Sequence, residues 1–152
     1  MDNLDSRIIW QIAIVVRDIK KTAENYARLF GMEMPEILIS GLNENESIFY
    51  RGNATNAIHK LAFFKMGLIQ LELIEPNNEQ STWRDFLDHK GEGVHHVAVF
   101  VENEKDALEF LAGKEINPIQ RGIFEMGTYN YMDTEEQLGV ILSISEKYKN
   151  MR

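Results

Sequence analysis

Two stretches of the chain carry the same order of hydrophobic and polar positions. Residues Ile8–Val16 are β-branched and nearly continuous, a pattern typical of a buried strand. Asp18 is a candidate N-cap, apolar residues then recur at helical spacing, and Gly31 lies where that helix is expected to end. The same order returns between Val94–Val101 and Gly113. The pattern therefore predicts a strand followed by a helix in each stretch.

An internal repeat relates the two stretches. When the chain is shifted by 85 residues, five pairs of positions coincide: Gln11 with His96, Ala13 with Ala98, Val16 with Val101, Lys20 with Lys105 and Glu24 with Glu109. The positions between them match in hydrophobicity. We therefore expect two modules of the same architecture, related by a pseudo-twofold axis.

Further strands are predicted after each helix, because β-branched runs are bounded there by glycine and asparagine. They cover Glu36–Ser40, Ser47–Arg51 together with Lys60–Met66, Leu68–Glu75, Pro118–Gly122, Thr128–Met132 and Gly139–Ile144. The predicted fold class is α+β, with paired βαβββ modules that form a cupped mixed sheet around one cavity. We expect a single domain over residues 1–152, with module one at about 8–76, a connector helix at about 80–91 and module two at about 94–146.

Composition narrows the class of protein. The net charge of −8 argues against nucleic acid as a partner, because phosphate neutralisation needs a basic face. An anionic small molecule needs only a local basic pocket, so it stays open as a ligand. The chain has no cysteine and no apolar run that approaches the ~18 residues of a membrane span. We expect a cytoplasmic protein with no membrane partner.

Alternation along the strands predicts which side chains face the cavity. In the last strand of module one, Leu71 and Leu73 suit packing under a helix. Gln70 and Glu72 then lie on the opposite face of that strand, where they are candidates for the cavity.

The first strand of module two contains two adjacent histidines. His95 and His96 are expected on opposite faces, so that only one of them lies inside. Gln11 takes the face of His96, because the repeat superposes the two positions. Tyr129 and Tyr131 share one face of a later strand, where they either line a ligand or pack in the core.

Four segments are similar to a known family: IAIVVRDIKKTAENYARLFGM, GLIQLELIEP, GEGVHHVAVFV and DTEEQLGVILSIS. They cover most of the chain. They resemble the vicinal oxygen chelate superfamily, which includes glyoxalase I, methylmalonyl-CoA epimerase and bleomycin-resistance proteins. The order of LELIEP and GEGVHHVAVFV most resembles the branch related to methylmalonyl-CoA epimerase and lactoylglutathione lyase. The family's fold, paired βαβββ modules, agrees with the internal repeat.

The resemblance implies a metal site made by the first and fourth strands of each module. The corresponding positions here are Gln11, Glu72, His96 and Ser143. Ser143 departs from the family pattern, which normally has glutamate at that position. The remaining ligands imply a divalent ion such as Zn, Ni, Co or Mn, bound more weakly because only one ligand is anionic.

The resemblance leaves the proton-transfer group unassigned. The family's catalytic carboxylate falls on Ser143, and a second carboxylate that epimerases use falls near Asn56, so neither position accepts a proton. The candidate substrate-binding residues are Gln70, Tyr129, Tyr131 and Asn56. Lys60, Lys65 and Arg121 are expected at the surface, where they remain potential anchors for an anionic ligand.

Two functions follow from these observations. The first is a metal-assisted lyase or isomerase, epimerases included, that acts on a small oxygenated or thioester substrate. The second is a non-catalytic protein of the same fold, of the bleomycin-resistance type, that binds a small molecule in an aromatic-lined cup. In both cases we expect a homodimer, because sheet edges need protection and twofold dimers are the commonest oligomers.

Overall fold

The structure, a computed structural model, describes residues 1–146. Within these residues the chain forms ten strands and four helices. The strands are β1 (Ile9–Val15), β2 (Leu38–Ser40), β3 (Ser47–Tyr50), β4 (Asn53–Thr55), β5 (His59–Met66), β6 (Ile69–Pro76), β7 (Gly93–Val101), β8 (Pro118–Phe124), β9 (Gly127–Met132) and β10 (Ile141–Glu146). The helices are α1 (Ile19–Phe30), α2 (Thr82–Lys90), α3 (Glu104–Ala112) and α4 (Glu135–Leu138).

One mixed sheet contains all the strands of residues 1–146, in the order β2-β5-β6-β1-β7-β10-β9-β8-β3-β4. β1 is parallel to β6, β7 is parallel to β10, and β1 pairs with β7 in antiparallel fashion at the centre. Apart from β3 and β4, each half thus contains a strand, a helix and three further strands in the same arrangement. The predicted fold class is confirmed.

The central strand pair carries the pseudo-twofold relation. In the register of β1 and β7, Gln11 is the partner of Ala98, and Ala13 is the partner of His96. In the internal repeat, Gln11 corresponds to His96 and Ala13 corresponds to Ala98, so the repeat exchanges these two pairs. Gln11 and His96 therefore occupy equivalent positions on either side of the local axis.

β3 and β4 form a hairpin that leaves the first module. β3 pairs with β8 at the far side of the second module, whereas β5 pairs with β2 and β6 in the first. The prediction that joined Ser47–Arg51 with Lys60–Met66 is therefore wrong. The cause is a two-residue turn in which Arg51 and Gly52 have φ of 49° and 81°. Two successive positive φ angles suit the tight turn of a β-hairpin.

Each module buries its outer face beneath its own helix. α1 begins after Asp18, whose side chain accepts a hydrogen bond from the Lys21 backbone N–H at 3.0 Å, and it ends at Gly31 in the left-handed conformation. Its apolar side packs on a cluster that includes Leu71 and Leu73, as alternation along β6 predicts. α3 belongs to the equivalent cluster of the second module. No helix of residues 1–146 has the length and apolar character to cross a membrane.

α2 fills one end of the concave face. Trp83 and Leu87 of this helix belong to a buried cluster that also contains side chains of β1 and β9. Trp83 Nε1 donates a hydrogen bond to the Tyr131 hydroxyl at 3.2 Å, and the Trp83 and His59 ring centroids are 4.1 Å apart. The other end of the concave face stays open.

The buried His59 makes the stability of the protein sensitive to pH. Burial lowers the pKa of His59 from its ordinary value of 6.5 to about 4. Between these values the unfolded chain takes up a proton that the folded protein does not. The free energy of unfolding therefore falls as the pH is lowered from 6.5 towards 4. Above pH 6.5 the histidine is neutral in both states, and its burial causes no such loss of stability.

We predict that His59→Phe reduces the slope of the unfolding free energy against pH in this window, by up to about 1.4 kcal/mol per pH unit. Urea denaturation of chelator-treated protein at several pH values measures the slope. His89→Phe, at an exposed position of α2, is the control. Equal slopes for wild type and His59→Phe would contradict the prediction.

Candidate functional site

The open end of the concave face is a cavity of about 590 Å³. Four strands that are consecutive in the sheet, β6, β1, β7 and β10, supply most of its polar side chains. We call the following set the polar end of the cavity: Gln11, Gln70, Glu72, His96 and Ser143. Alternation delivers these side chains to one face, since every second residue of a strand points to the same side.

Gln11 connects the polar end. Its Nε2 donates hydrogen bonds to Gln70 Oε1 at 2.6 Å and to Glu72 Oε2 at 3.0 Å. Its Oε1 lies 3.3 Å from His96 Nε2. Because β1 lies between β6 and β7, Gln11 makes all of these contacts at the same time. The structure therefore brings Gln11, Glu72 and His96 together, and Gln70 lies beside them.

Glu72 is a buried carboxyl group, 8% exposed, at the wall of this cavity. Burial raises the pKa of Glu72 from 4.5 to about 8, an effect that the hydrogen bond from Gln11 partly offsets. Among the described residues, no lysine or arginine lines the cavity. The carboxylate form of Glu72 is consequently disfavoured unless a cation lies beside it, and the protonated form is favoured otherwise.

His95 and His96 lie on the same side of the sheet, so the expectation of opposite faces is wrong. Ala13 is opposite His96 and Ile14 is opposite Val94, which leaves His95 as the extra residue of a β-bulge. Their Nδ1 atoms are 2.9 Å apart, and one of these nitrogens must donate to the other. Both rings are buried, although only His96 lines the cavity.

The bulge places His95 between α2 and β9. Its ring centroid lies 5.5 Å from that of Phe86 and 5.1 Å from that of Tyr131. Burial lowers the pKa of His95 to about 3 and holds that of His96 well below 6.5, with His95 adding to the second effect. Both imidazoles are therefore neutral near pH 7, the form in which a histidine nitrogen binds a metal.

Tyr129 and Tyr131 form an aromatic wall of the cavity, with ring centroids 4.6 Å apart. The hydroxyl of Tyr129 accepts from Gln120 Nε2 at 3.2 Å. Burial raises the pKa of both tyrosines, so their hydroxyl groups stay protonated. Gly122 is required beside this wall, because a Cβ there would lie 2.0 Å from the Tyr129 ring. The tyrosines share one face, as expected, and they both line the cavity and pack in the core.

Ser143 lies on the cavity wall at the position where the family normally has glutamate. It is 3% exposed, and in the sheet it is opposite Tyr131 on β9 and Ala98 on β7. Ser145 follows on the same face of β10 and also lines the cavity. This side of the polar end thus carries hydroxyl groups in place of a carboxylate.

Glu46 is a cavity residue that the sequence reasoning missed. Its Oε2 accepts hydrogen bonds from the Gly41 backbone N–H at 2.5 Å and from Ser40 Oγ at 3.3 Å. It precedes β3, and its place at the cavity follows from the pairing of that strand with β8. No local signal distinguishes it from Glu44, the other acidic residue of the loop.

Asn56 is not among the residues that line the cavity, and its role in substrate binding stays a prediction. It is exposed in the connection after β4, because the hairpin carries this segment away from the polar end. The surface cations are also elsewhere. Lys60 pairs with Glu75 at 3.2 Å, and Arg121 pairs with Glu104 at 3.1 Å.

The polar end has a donor set that fits a divalent cation. Glu72 offers carboxylate oxygens, His96 an imidazole nitrogen and Gln11 an amide oxygen, and Mn, Co, Ni and Zn accept such mixed ligands. Residues 1–146 contain no group of three His, Cys, Asp or Glu side chains placed to hold a metal ion. A cation here would therefore depend on the Gln11 amide and on further oxygen ligands.

A family model described as Glyoxalase/Bleomycin resistance protein/Dioxygenase superfamily matches residues 10–131. The chain belongs to this superfamily, and the resemblance to the vicinal oxygen chelate proteins is confirmed. Among curated proteins, the uncharacterized protein YqjC of Bacillus subtilis (strain 168) is 38% identical over 61 residues. That match covers 40% of this chain and 44% of YqjC, less than half of either protein.

Solved structures share the fold over nearly the whole chain. The hypothetical protein BH1468 from Bacillus halodurans C-125 has a TM-score of 0.68 and 21% identity, covering 97% of this chain and 99% of that chain. A methylmalonyl-CoA epimerase of Streptomyces coelicolor in complex with 2-nitronate-propionyl-CoA has 0.65 and 21%, covering 97% of each chain. The methylmalonyl-CoA epimerase from Mycobacterium tuberculosis has 0.62 and 18%, covering 92% and 87%. At these identities the similarity shows the fold.

We predict that Glu72→Gln stabilises chelator-treated protein at pH 7 by about 3 kcal/mol. The carboxyl group titrates near 4.5 in the unfolded chain and at about 8 in the folded protein. Its unfavourable contribution is therefore absent below pH 4.5, grows as the pH rises and is complete above 8. Urea denaturation at pH 4.5 and pH 7 measures the difference.

The matched control for this prediction is Glu75→Gln on the same strand. Glu75 accepts hydrogen bonds from Lys60 Nζ at 3.2 Å and from the Ile19 backbone N–H at 2.9 Å. Its replacement is expected to destabilise the protein. A Glu72→Gln variant that is no more stable than wild type at pH 7 would show that the buried carboxylate has a compensating partner.

Proposed function

We propose that the chain is a metal-assisted lyase or isomerase that acts on a small oxygenated substrate, with a divalent ion held by Gln11, Glu72 and His96. The observation that carries the proposal is Glu72. It is a buried carboxyl group with an amide partner and, among residues 1–146, no cationic one. A divalent cation supplies the missing charge and has an imidazole and an amide oxygen within reach.

The ion and the side chains have different roles in the proposed reaction. When bound, a divalent ion supplies Lewis-acid stabilisation of negative charge on a substrate oxygen. Glu46 is the group that accepts the proton, since its carboxylate lines the same cavity and two hydrogen bonds hold it in place. Gln70, Tyr129 and Tyr131 orient the substrate against the polar end.

The structural neighbours support the isomerase side of this proposal. Their descriptions include methylmalonyl-CoA epimerases, one of them in complex with methylmalonyl-CoA and NH4+. Epimerisation and glyoxalase-type reactions both begin with the removal of a proton next to a carbonyl group, and this is the step that we assign to Glu46. A homodimer and a cytoplasmic location stay predictions.

The second candidate is a non-catalytic protein that binds a small molecule in the same cavity. The observation in its favour is Ser143, which leaves the polar end with one carboxylate fewer than the family pattern. A metal titration separates the two candidates, because only the first requires a divalent ion.

We predict that wild type binds Zn, Ni, Co or Mn, that Ser143→Glu binds at least about tenfold more tightly, and that His96→Ala loses most of the affinity. A second carboxylate at the polar end attracts the cation directly. Ser145→Glu adds the same charge two residues along β10 and is expected to have a smaller effect. Isothermal titration calorimetry measures each dissociation constant.

The control for His96→Ala is His89→Ala, at an exposed position outside the cavity. If wild type binds no ion, Ser143→Glu binds no better and His96→Ala binds no worse, the metal-assisted reading fails. The non-catalytic binding protein then replaces it.

We further predict that His95→Phe lowers metal affinity about tenfold without removing a ligand. A metal-bound histidine normally donates its second ring N–H to an acceptor, and His95 Nδ1 lies 2.9 Å from His96 Nδ1. His95→Gln keeps an acceptor side chain and is expected to stay closer to wild type. Calorimetry together with circular dichroism checks this; folded His95→Phe with unchanged affinity would exclude the positioning role.

A further inference from the structure

The cavity has two regions of opposite character. Its polar end lies on the central strands, whereas its opening is lined by apolar side chains from β2 and from the β8–β9 hairpin. We call these residues the apolar mouth: Leu38, Ile39, Ile123, Phe124 and Met126. All five are at least 36% exposed. Exposed apolar groups gathered at the entrance of a cavity mark a surface that an apolar ligand covers.

The walls between the two regions are also apolar and aromatic. Trp10, Leu61 and Phe63 line the cavity from β1 and β5, opposite the wall formed by Tyr129. The cavity volume of about 590 Å³ lies within the usual range for small-molecule sites. A ligand that fills it therefore places apolar surface against these walls.

The side chains that line the cavity offer an anionic group no positive charge. Glu46 and Glu72 are its carboxyl groups, and no lysine or arginine of residues 1–146 lines it. Lys65, two residues beyond Phe63 on β5, is exposed and is not among the lining side chains. A phosphate or carboxylate at the apolar mouth or against the apolar walls would lose its hydration without a counter-charge beside it, which is strongly unfavourable.

We propose that the ligand of this cavity is an uncharged compound with an aromatic or branched apolar body and hydroxyl or carbonyl oxygens at one end. The oxygens reach the polar end, and the apolar body lies against the aromatic walls and the apolar mouth. The orientation of the ligand rests on the proposed function, because it takes the polar end as the reactive end. The selection against negative charge does not.

This ligand class differs from that of the structural neighbours. The Streptomyces coelicolor epimerase was solved with a coenzyme A ester, 2-nitronate-propionyl-CoA, and coenzyme A carries several phosphate groups. The apolar mouth of this chain offers those phosphates no lysine or arginine. The two proteins share the fold, and we infer that the charge at the entrance of the cavity determines which class of ligand each one binds.

Two fluorescent dyes with the same ring skeleton test the proposal. N-phenyl-naphthylamine is uncharged, and anilinonaphthalene sulfonate carries one added negative charge. We expect saturable binding of the uncharged dye to chelator-treated wild type, with at least about tenfold weaker binding of the sulfonate. Equal affinity for the two dyes, or no saturable binding of the uncharged one, overturns the proposal.

A matched pair of variants locates the selection at the mouth. Met126→Lys places a cation at the apolar mouth, in the β8–β9 turn, and Leu68→Lys places one in the β5–β6 turn, outside the cavity. Both positions are well exposed, at 66% and 100%, so both variants should fold. Met126→Lys is expected to raise the affinity for the sulfonate about threefold or more and Leu68→Lys to leave it unchanged. Equal effects of the two variants overturn the proposal.

The dye experiment tests the ligand class and the metal titration tests the proposed function, and the outcome of one does not depend on the outcome of the other. The dyes are measured in the presence of chelator, so discrimination by charge persists if the protein binds no metal. In that case the proposed function is wrong and the ligand class stands. If the metal titration succeeds and the dyes are not distinguished, the proposed function stands and the inference about the ligand is wrong.

Discussion

The antiparallel pairing of β1 with β7 is the interaction on which the rest of the structure depends. It joins the two modules through their first strands, and each of these strands pairs on its other side with the last strand of its own module. The four strands that result carry the polar end of the cavity. Gln11 touches residues of both neighbouring strands because β1 lies between them. A shift in this register would separate the amide of Gln11 from His96.

The polar end combines strong burial with a shortage of positive charge. Glu72, His95 and His96 are all buried. Burial raises the pKa of Glu72 and lowers that of each histidine, so that it favours the neutral form of all three groups. Neutral imidazoles beside a carboxyl group that favours protonation are the electrostatic basis of the metal site proposed above. The packing of both modules around Glu72 maintains its unfavourable desolvation, and groups with strongly shifted pKa values cluster at functional sites.

Where the strands are regular, the sequence predicted which side chains face the cavity. Gln70 and Glu72 face the cavity because the alternation of a strand holds along β6. The same rule failed at His95, because a bulge adds one residue to β7 and resets the alternation. Glu46 was missed for a different reason. Its position depends on strands far apart in the chain, and local pattern contains no information about which distant strand a hairpin joins.

The hairpin formed by β3 and β4 is a second connection between the two modules. Duplication of one βαβββ unit accounts for eight of the ten strands of residues 1–146, and the hairpin exists only in the first copy. It crosses to β8 of the second copy and brings Glu46 and Ile48 to the cavity wall. Without the hairpin, the repeated unit lacks this part of the wall. The hairpin therefore connects the two halves at a second place besides the β1–β7 pairing, so that either module exchanged alone would leave the cavity without part of its wall.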